Sequence, residues 1–323
     1  MMNNINIPLV SICIPTNNRP DIIRETILSI IEENVGNDLL NICITDNSPT
    51  NETKELIEKE FKDVTYLKYK KTHCEGFLNS VEALKFGNGR FLKLHNDYSK
   101  FKKGQLIKFI DRIKKNKNEK PLIFFSFGAL NKNKKVEIFD TFDNFLYNIH
   151  YYSTWSSAFG IWKNDFIKLY NENIKIDYMF PHTSFLFNLT YKKKYIVDDT
   201  KYIENIPLKK KGGYNLTNNF VRLYLSMVKE LLDMKCISFR TYNKIEKGII
   251  KFVAFWWNQV LFNNEVFYFT FDNTEKIIRE VCGNKSVRMY IYWKNIYYIK
   301  FSIKRLKKKC KSVFKVFDYS KNS

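Results

Sequence analysis

Short apolar runs recur along the first half of the chain, each bounded by polar or turn-forming residues. They predict five strands, at residues 9–14, 39–44, 64–69, 91–94 and 122–127. Runs that are apolar throughout, rather than alternating with polar residues, are typical of strands buried on both faces of a sheet. We therefore expect a sheet that is covered on both sides.

Between these runs, apolar residues recur at the three- and four-residue spacing of an α-helix. Pro20 stands where a first helical turn would begin, and Ile23 and Ile27 follow at helical spacing. Further helices are predicted at 52–62, 76–86 and 103–117. Strands that alternate with helices form a mostly parallel sheet, since each helix returns the chain to the start of the next strand. The predicted fold class is α/β.

A polar cluster follows three of the predicted strands, at residues 15–19, 45–48 and 95–97. In open α/β sheets, ligands bind beyond the carboxyl ends of the strands. The carboxyl ends of parallel strands lie at one edge, so the three clusters are expected to converge there. This convergence predicts a ligand site.

The pattern changes after about residue 200, where helices are predicted at 220–232, 242–261 and 274–281 and a loop at 209–215. We expect an α/β domain at 1–205, a smaller helical region at 206–284 and a basic tail at 285–323. No apolar run reaches the roughly 18 residues of a spanning helix, so none is expected.

The tail combines one apolar helix face with many lysines. The apolar positions are Ile299, Ile303, Leu306, Cys310, Val313 and Phe317. A basic amphipathic helix of this kind is typical of attachment to an anionic membrane surface. The alternative is a helix that docks on the protein's own core or on a partner subunit.

The chain of 323 residues carries 54 Lys and Arg against 33 Asp and Glu, a net charge of +21 that favours polyanionic partners. Nucleic acid is not expected among them, because no RNP, zinc-finger or helix-turn-helix signature is present and the charge is concentrated at 100–120 and 300–315. The six cysteines form no CxxC pair. This favours reduced thiols and a cytosolic setting.

The segment Pro15-Thr16-Asn17-Asn18-Arg19-Pro20 resembles the turn after the first strand of inverting family 2 glycosyltransferases of the GT-A fold. The similarity continues through residues 44–48 and 76–79 and covers roughly residues 8–200. It implies a Rossmann-like sheet flanked by helices, of the bacterial surface-polysaccharide type. It also implies a set of donor-binding residues: Pro15, Thr16, Asn18, Arg19, Asp46, Asn47, Asn79, Asn96 and Asp97.

The family places an acidic Asp-x-Asp-like cluster after the fourth strand, where it binds a divalent metal on the donor diphosphate. This chain departs from the pattern, because Asp97 is the one carboxylate there and Asn96 precedes it. The resemblance implies Mg²⁺ or Mn²⁺ held by Asp97 and Asn96, with diphosphate oxygens and water completing the shell. The alternative is that nearby cations replace part of the metal's role, the candidates being Lys100, Lys102 and Lys103.

The family has a small-residue stretch on the acceptor side, similar to residues 157–163, and a general base about twenty positions later. His182 occupies that base position by order, and an imidazole can take a proton from an acceptor hydroxyl. Asp177 is the rival base.

The resemblance implies an inverting glycosyltransferase of the hexosyltransferase type. It would move a sugar from a nucleotide-sugar donor, a UDP-sugar, to a hydroxyl of a growing surface glycan such as a capsule, free or lipid-linked. The tail places this enzyme in the cytoplasm, peripheral at the inner face of the cell membrane. The incomplete acidic cluster leaves a catalytically degenerate sugar-nucleotide-binding or scaffold protein as the alternative. The net charge and the many aromatic residues leave a nucleic-acid-binding protein as a lesser one.

Overall fold

The computed structural model describes residues 7–208 and 211–319, with side chains described as far as residue 307. The chain divides into two compact units, one formed by residues up to 207 together with 231–241, the other by 208–230 and the chain from 242 onward. Some predictions lie outside the described residues or side chains, namely those for Lys209, Lys210, Cys310, Val313 and Phe317.

Strands and helices alternate through the first unit as the apolar pattern predicts. In chain order the elements are β1 (Val10–Thr16), α1 (Pro20–Ile31), β2 (Leu40–Asp46), α2 (Glu52–Glu60), β3 (Leu67–Lys71), α3 (Asn79–Phe86), β4 (Phe91–Leu94), β5 (Ser99–Phe101), α4 (Leu106–Lys115), β6 (Leu122–Phe125), β7 (Val136–Phe139), α5 (Phe142–Ile149), β8 (Gly160–Trp162), α6 (Lys163–Asn171), α7 (Pro181–Phe187), β9 (Tyr195–Asp198) and β10 (Ile203–Asn205). Short 3₁₀ turns lie at Gly76–Leu78, His150–Thr154 and Ser156–Ala158.

The main sheet has the strand order β3-β2-β1-β4-β8, in which the first four strands are parallel and β8 is antiparallel to β4. Its central strands are buried almost throughout, as their apolar sequences predict. Cys13 of β1 pairs with Cys43 on one side and Leu94 on the other, and Thr16 pairs with Asp46. This register brings the carboxyl ends of β1, β2 and β4 to one edge.

The fifth predicted strand forms as β6 but does not join the main sheet. It pairs in parallel with β9 in a separate three-stranded sheet, β6-β9-β7. Its place beside β4 is taken by β8, a segment not predicted as a strand. An apolar run predicts that a strand is buried but does not determine which strand it pairs with.

The helix after the first strand begins at Pro20, as predicted. Ile23, Ile27 and Ile30 are fully buried on one face of α1 and belong to the hydrophobic core beside the sheet. The opposite face carries charged residues such as Arg24 and Glu25, which are exposed. The helix thus buries one stripe and leaves the other in water.

The remaining elements are largely helical, again as predicted. They are β11 (Lys211–Asn215), a π-helix (Asn218–Tyr224), α8 (Leu225–Asp233), α9 (Phe239–Phe262), β12 (Phe267–Thr270) and α10 (Thr274–Tyr319). The prediction of a loop at 209–215 is wrong for its second part, because β11 pairs in parallel with β12. α10 is interrupted at Gly283, whose φ of 80° is left-handed. Among the helices described, none is both long and apolar enough to cross a bilayer.

Candidate active site

A buried carboxylate, Asp97, lies just beyond the carboxyl end of β4 and contacts the turn that follows β1. Its Oδ2 accepts a hydrogen bond from the Thr16 hydroxyl at 2.8 Å, and its Oδ1 accepts one from the Arg19 guanidinium at 3.0 Å. The hydroxyl of Thr26, on α1, donates to the backbone oxygen of Asp97 at 2.7 Å. Burial raises the pKa of Asp97, whereas Arg19 and Thr16 act in the opposite direction.

The carboxylate of Asp46, at the end of β2, is fully buried and surrounded by donors. Its Oδ1 accepts from the backbone N–H of Ser48 at 2.9 Å and from the Ser48 hydroxyl. Its Oδ2 accepts from the Tyr69 hydroxyl at 2.9 Å and from Lys71 Nζ at 3.2 Å. An ionised carboxylate accepts about four hydrogen bonds. A nucleotide that binds Asp46 must therefore replace one of these partners.

Asn79, the first residue of α3, connects the ends of β1 and β2. Its amide donates to the backbone oxygens of Thr16 at 3.2 Å and Thr45 at 3.0 Å, and its oxygen accepts from the Thr72 hydroxyl at 2.9 Å. The backbone N–H of Asn47 also donates to the oxygen of Thr16, at 3.0 Å. These bonds fix the two strand ends relative to each other.

The turn after β1 is held against the turn after β2. Pro15 pairs with Thr45 in the sheet register. Asn18 has a positive φ of 53°, and its backbone N–H donates to the Ser48 hydroxyl at 2.7 Å. Asn tolerates this left-handed conformation better than most residues, so the turn predicted from sequence has a specific backbone requirement at Asn18.

The side chains of Asn47 and Asn96 form hydrogen bonds to neighbouring segments of the chain. The Asn47 side chain donates to the backbone oxygen of Cys74 at 2.9 Å and accepts from its N–H at 2.7 Å. Asn96 donates to the Tyr98 hydroxyl at 2.9 Å and accepts from the Ser156 hydroxyl at 3.0 Å. Asn96 therefore joins the strand-end cluster to the 156–158 turn, which belongs to the predicted acceptor side.

A buried lysine on β4 holds the 156–158 turn through a hydrogen bond to its backbone. Lys93 is fully buried, and its ammonium donates to the backbone oxygens of Leu94, at 2.5 Å, and Ser157. The ring of Phe127 lies 5.2 Å from Lys93 Nζ. Burial lowers the pKa of Lys93 to about 7. Lys93 is a positioning residue, since it holds the backbone next to Ser156.

The two predicted bases differ in their surroundings. His182 is 5% exposed, and its Nε2 has no hydrogen-bond partner among the described residues. Burial lowers its pKa to about 4, which the backbone hydrogen bond at Thr154 opposes. Asp177 is partly exposed, and its Oδ1 accepts from the backbone N–H groups of Met179 and Phe180 at 2.8 Å each. These bonds fix the Asp177 carboxylate ahead of α7 and leave Oδ2 for other partners.

The three lysines that are the alternative to a metal lie in a groove together with glutamates. Lys100 Nζ pairs with Glu25 at 3.2 Å. Lys100, Lys102 and Lys103 line a groove that also contains Glu25, Glu32, Glu33 and Glu204. Their charge is thus largely offset locally, and Arg19 is the cation that contacts the strand-end carboxylate.

The described side chains do not form a divalent metal site by themselves. Within the described part of the chain, no group of three or more His, Cys, Asp or Glu side chains is arranged to hold a metal ion. Both oxygens of Asp97 already have partners, one of which is the Arg19 cation. A cation on the same carboxylate disfavours a second one through charge repulsion. A metal bound through Asp97, as the family resemblance implies, would share this carboxylate with Arg19.

Several residues of the site were not predicted from the sequence. Tyr69 and Lys71 occupy alternate positions of β3, so both side chains reach the same face of the sheet as Asp46. Thr26 and Ser156 contact Asp97 and Asn96 from α1 and from the 156–158 turn. The alternation in β3 was a usable signal, whereas the contacts of Thr26 and Ser156 depend on tertiary packing.

The sheet and the polar cluster beyond its strand ends define an α/β protein with a ligand site at one edge. The family model described as glycosyl transferase family 2 matches residues 11–185, more than half of the chain, and the chain belongs to this family. It is therefore a glycosyltransferase by family. Among curated proteins, no sequence matches this one significantly.

Solved structures with the same fold include TarS from S. aureus. At 12% identity and a TM-score of 0.54, the match to TarS covers 90% of this chain and 54% of that one. TarS 1-349 in complex with UDP-GlcNAc matches at 14% identity and a TM-score of 0.56, covering 93% of this chain and 92% of that one. TarS 1-349 in complex with UDP matches at 13% identity and a TM-score of 0.54. These likenesses confirm the predicted GT-A α/β fold with a helical C-terminal region.

Proposed function

We propose that this protein transfers a sugar from a UDP-sugar to a hydroxyl group of a growing surface glycan, with inversion at the anomeric carbon. The proposal rests on one observation: Thr16 and Arg19 both donate hydrogen bonds to Asp97 beyond the ends of β1 and β4. Family membership supports it, as does the similarity to TarS structures that contain UDP-GlcNAc and UDP. The surface glycan as acceptor rests on the family resemblance.

The reaction is a single displacement at the anomeric carbon. The acceptor oxygen attacks from the face opposite the diphosphate, the bond from the anomeric carbon to the phosphate oxygen breaks, and its electron pair leaves with the nucleoside diphosphate. The proton of the acceptor hydroxyl passes to a general base. One such displacement inverts the configuration.

Negative charge builds up on the departing diphosphate and needs a cation nearby. Arg19 is suited to this task because its guanidinium presents several N–H donors, of which one contacts Asp97. Its side chain is 36% exposed, so other donors can reach a ligand. The divalent metal implied by the resemblance stays a prediction, and chelation tests it.

The base remains a choice between His182 and Asp177. An unpartnered Nε2 on a buried imidazole suits a hydrogen bond from an acceptor hydroxyl, but the pKa of about 4 makes His182 a weak base. Asp177 is a partly exposed carboxylate whose Oδ1 is held by the backbone N–H groups of Met179 and Phe180. We retain His182 as the first candidate by position and Asp177 as the rival.

The tail supports attachment to an anionic membrane surface at the cytoplasmic side. Ile299, Ile303 and Leu306 are 54%, 47% and 62% exposed, so the described part of the predicted apolar face is not buried within the chain. Lys300 and Lys304 are exposed beside it. Apolar side chains flanked by cations are what an interfacial helix presents to anionic lipid.

A nucleotide-release assay with a panel of sugar nucleotides tests the enzymatic proposal. We expect turnover of a UDP-sugar that Asp97→Ala abolishes and that the exposed-site variant Lys59→Glu leaves unchanged. Asp177→Asn and His182→Gln identify the base, because losing it costs roughly 10²–10⁴ in rate. Running each reaction with EDTA and with added Mn²⁺ measures metal dependence.

The same assay decides the degenerate alternative, which is motivated by the single carboxylate after β4. A protein that binds UDP-sugars but releases no nucleotide above the Asp97→Ala background, with any acceptor or metal, is a binding protein and not a transferase. That result would refute catalysis while leaving the donor site intact.

A further inference from the structure

A second cavity lies at the edge of the main sheet opposite the strand-end cluster. Its volume is about 660 Å³. Gly89 and Arg90, which line it, directly precede β4, and Trp162 ends β8 where that strand pairs with the start of β4. Neither the proposed donor site nor the proposed acceptor side uses any residue that lines this cavity, with the exception of the 162–163 pair.

The cavity is lined by cations and contains no carboxylate. Four of its ten lining residues are basic, and none is acidic; the basic ones are Arg90, Lys117, Lys120 and Lys163. Among the described residues, none of these four has a carboxylate within ion-pair distance. The carboxylates nearest in sequence to Lys120 and Lys163 are Glu119 and Asp165, and they pair with Lys194 at 2.7 Å and Lys192 at 2.6 Å. The positive charge of the cavity is therefore uncompensated.

The four cations are held in different ways. Lys163 Nζ donates to the backbone oxygen of Gly87 at 2.6 Å, and partial burial lowers its pKa. The backbone oxygen of Lys120 accepts from Lys192 at 2.9 Å, which fixes the loop after α4. Arg90 and Lys117 are exposed at the rim. The Lys163 ammonium is thus held in place, whereas those of Arg90 and Lys117 lie at the solvent-exposed rim.

Neutral donors complete the lining. Asn88, Asn118 and Asn164 bring amide groups, and Trp162 contributes an indole ring whose N–H is already bonded to Pro121 at 2.8 Å. Guanidinium, ammonium and amide groups around a cavity of this size match the oxygens of a phosphate group, which accepts several charge-assisted hydrogen bonds.

We propose that this cavity binds a phosphate-bearing anion, separately from the donor. The shared chemistry is a phosphate group, which can come from a lipid headgroup or from a small phosphorylated solute. The inference does not depend on the proposed function, since the cavity lies at the other edge of the sheet.

The double variant Arg90→Glu/Lys117→Glu tests this site, because both side chains are exposed and their replacement spares the core. The matched control is Lys59→Glu/Lys62→Glu, which makes the same charge change at exposed positions of α2 and the turn after it. Arg90→Gln/Lys117→Gln removes the charge without reversing it. Binding of inorganic phosphate and of dihexanoyl phosphatidic acid is measured by calorimetry on the full chain, at constant ionic strength.

We expect the wild type and the control to bind at least one of the two probes, and both cavity variants to bind it roughly tenfold more weakly or not at all. Loss confined to phosphatidic acid identifies a lipid headgroup as the source, and equal loss for inorganic phosphate identifies a free phosphate. The proposal is overturned if the wild type binds neither probe, or if the cavity variants bind as the control does. Unchanged thermal unfolding of the variants shows that they remain folded.

Discussion

Asp97 and Arg19 form an ion pair in which one partner is buried and the other is not. The Asp97 side chain is 4% exposed and that of Arg19 is 36% exposed. The exposed Arg19 guanidinium can exchange water for a ligand, whereas the buried Asp97 carboxylate holds the guanidinium in place. This difference in exposure suits an arginine that positions a diphosphate. It is less suited to an arginine that serves only to stabilise the fold.

His182 makes stability depend on pH in a defined direction. Its pKa is about 4 in the folded chain, against an ordinary value of 6.5, because burial disfavours the imidazolium. Between these values the unfolded chain binds a proton that the folded chain does not. The stabilisation is complete above pH 6.5 and is lost as the pH falls towards 4, by up to about 3 kcal/mol.

We predict that His182→Gln reduces the fall in unfolding free energy between pH 6.5 and pH 4. A fall remains because burial also lowers the pKa of His95, to about 3. Urea denaturation at several pH values measures it, and His73→Gln is the control because His73 is exposed. An unchanged slope in His182→Gln would show that this imidazole titrates alike in both states.

Some residues of the site could not be assigned from sequence because their role depends on register. Lys71 and Asp46 are direct neighbours in the β2–β3 pairing, and this pairing puts the ammonium on the carboxylate. A shift of one residue would place Lys71 on the other face. The strand-end positions of Thr16, Asp46 and Asp97, in contrast, follow from where each apolar run ends.

At the scale of elements, the ends of β1 and β2 are joined by one side chain from α3. Asn79 is 6% exposed and makes three hydrogen bonds, two of them to strand-end carbonyls. Removing this side chain deprives Thr45 and Thr72 of a buried partner, whereas the oxygen of Thr16 still accepts from the N–H of Asn47. Each buried group left unsatisfied costs about 1–3 kcal/mol. The spacing of the strand ends depends on this side chain.

We predict that Asn79→Ala lowers the free energy of unfolding by about 2 kcal/mol, because Thr45 and Thr72 lose a buried hydrogen-bond partner while the oxygen of Thr16 keeps the N–H of Asn47. Asn51→Ala is the matched control, since Asn51 is exposed and its side chain does not cap α2. Chemical denaturation measures both. A loss for Asn79→Ala no greater than that for Asn51→Ala would contradict the bridging role.

The sequence pattern located most elements of the main sheet but not its antiparallel member. The strands β1, β2 and β4 are apolar runs of ordinary length, and their burial was predicted. β8 has only Gly160, Ile161 and Trp162, and a Cβ at Gly160 would lie 2.5 Å from the Phe91 ring. This strand exists because glycine lets the ring approach closely, a tertiary requirement that periodicity does not reveal.

At the scale of the whole molecule, positive charge is the dominant feature, with a net charge of +21. Each cation near an anionic leaflet contributes about 1 kcal/mol to membrane binding. The described part of the tail adds exposed apolar residues to this charge. The proposed membrane attachment would combine an electrostatic contribution that salt weakens with an apolar one that salt does not.

We predict that Ile299→Ser/Ile303→Ser/Leu306→Ser reduces sedimentation with anionic phosphatidylglycerol vesicles at least severalfold, because buried apolar area sets interfacial affinity. The control is Ile107→Ser/Ile138→Ser/Ile167→Ser, three isoleucines of the first unit that are 41%, 56% and 44% exposed. Equal sedimentation of the two triple variants would indicate binding through net charge alone.

The proposed transfer requires the donor nucleotide to lie beyond the carboxyl ends of β1, β2 and β4. Hydrogen–deuterium exchange of the full chain, with and without saturating UDP, measures this location directly. We predict that UDP slows exchange in the segments 15–19, 45–48 and 95–98 and leaves the loop at 117–120 unchanged. Protection confined to other segments, or no protection by any uridine nucleotide, would contradict the proposed donor site.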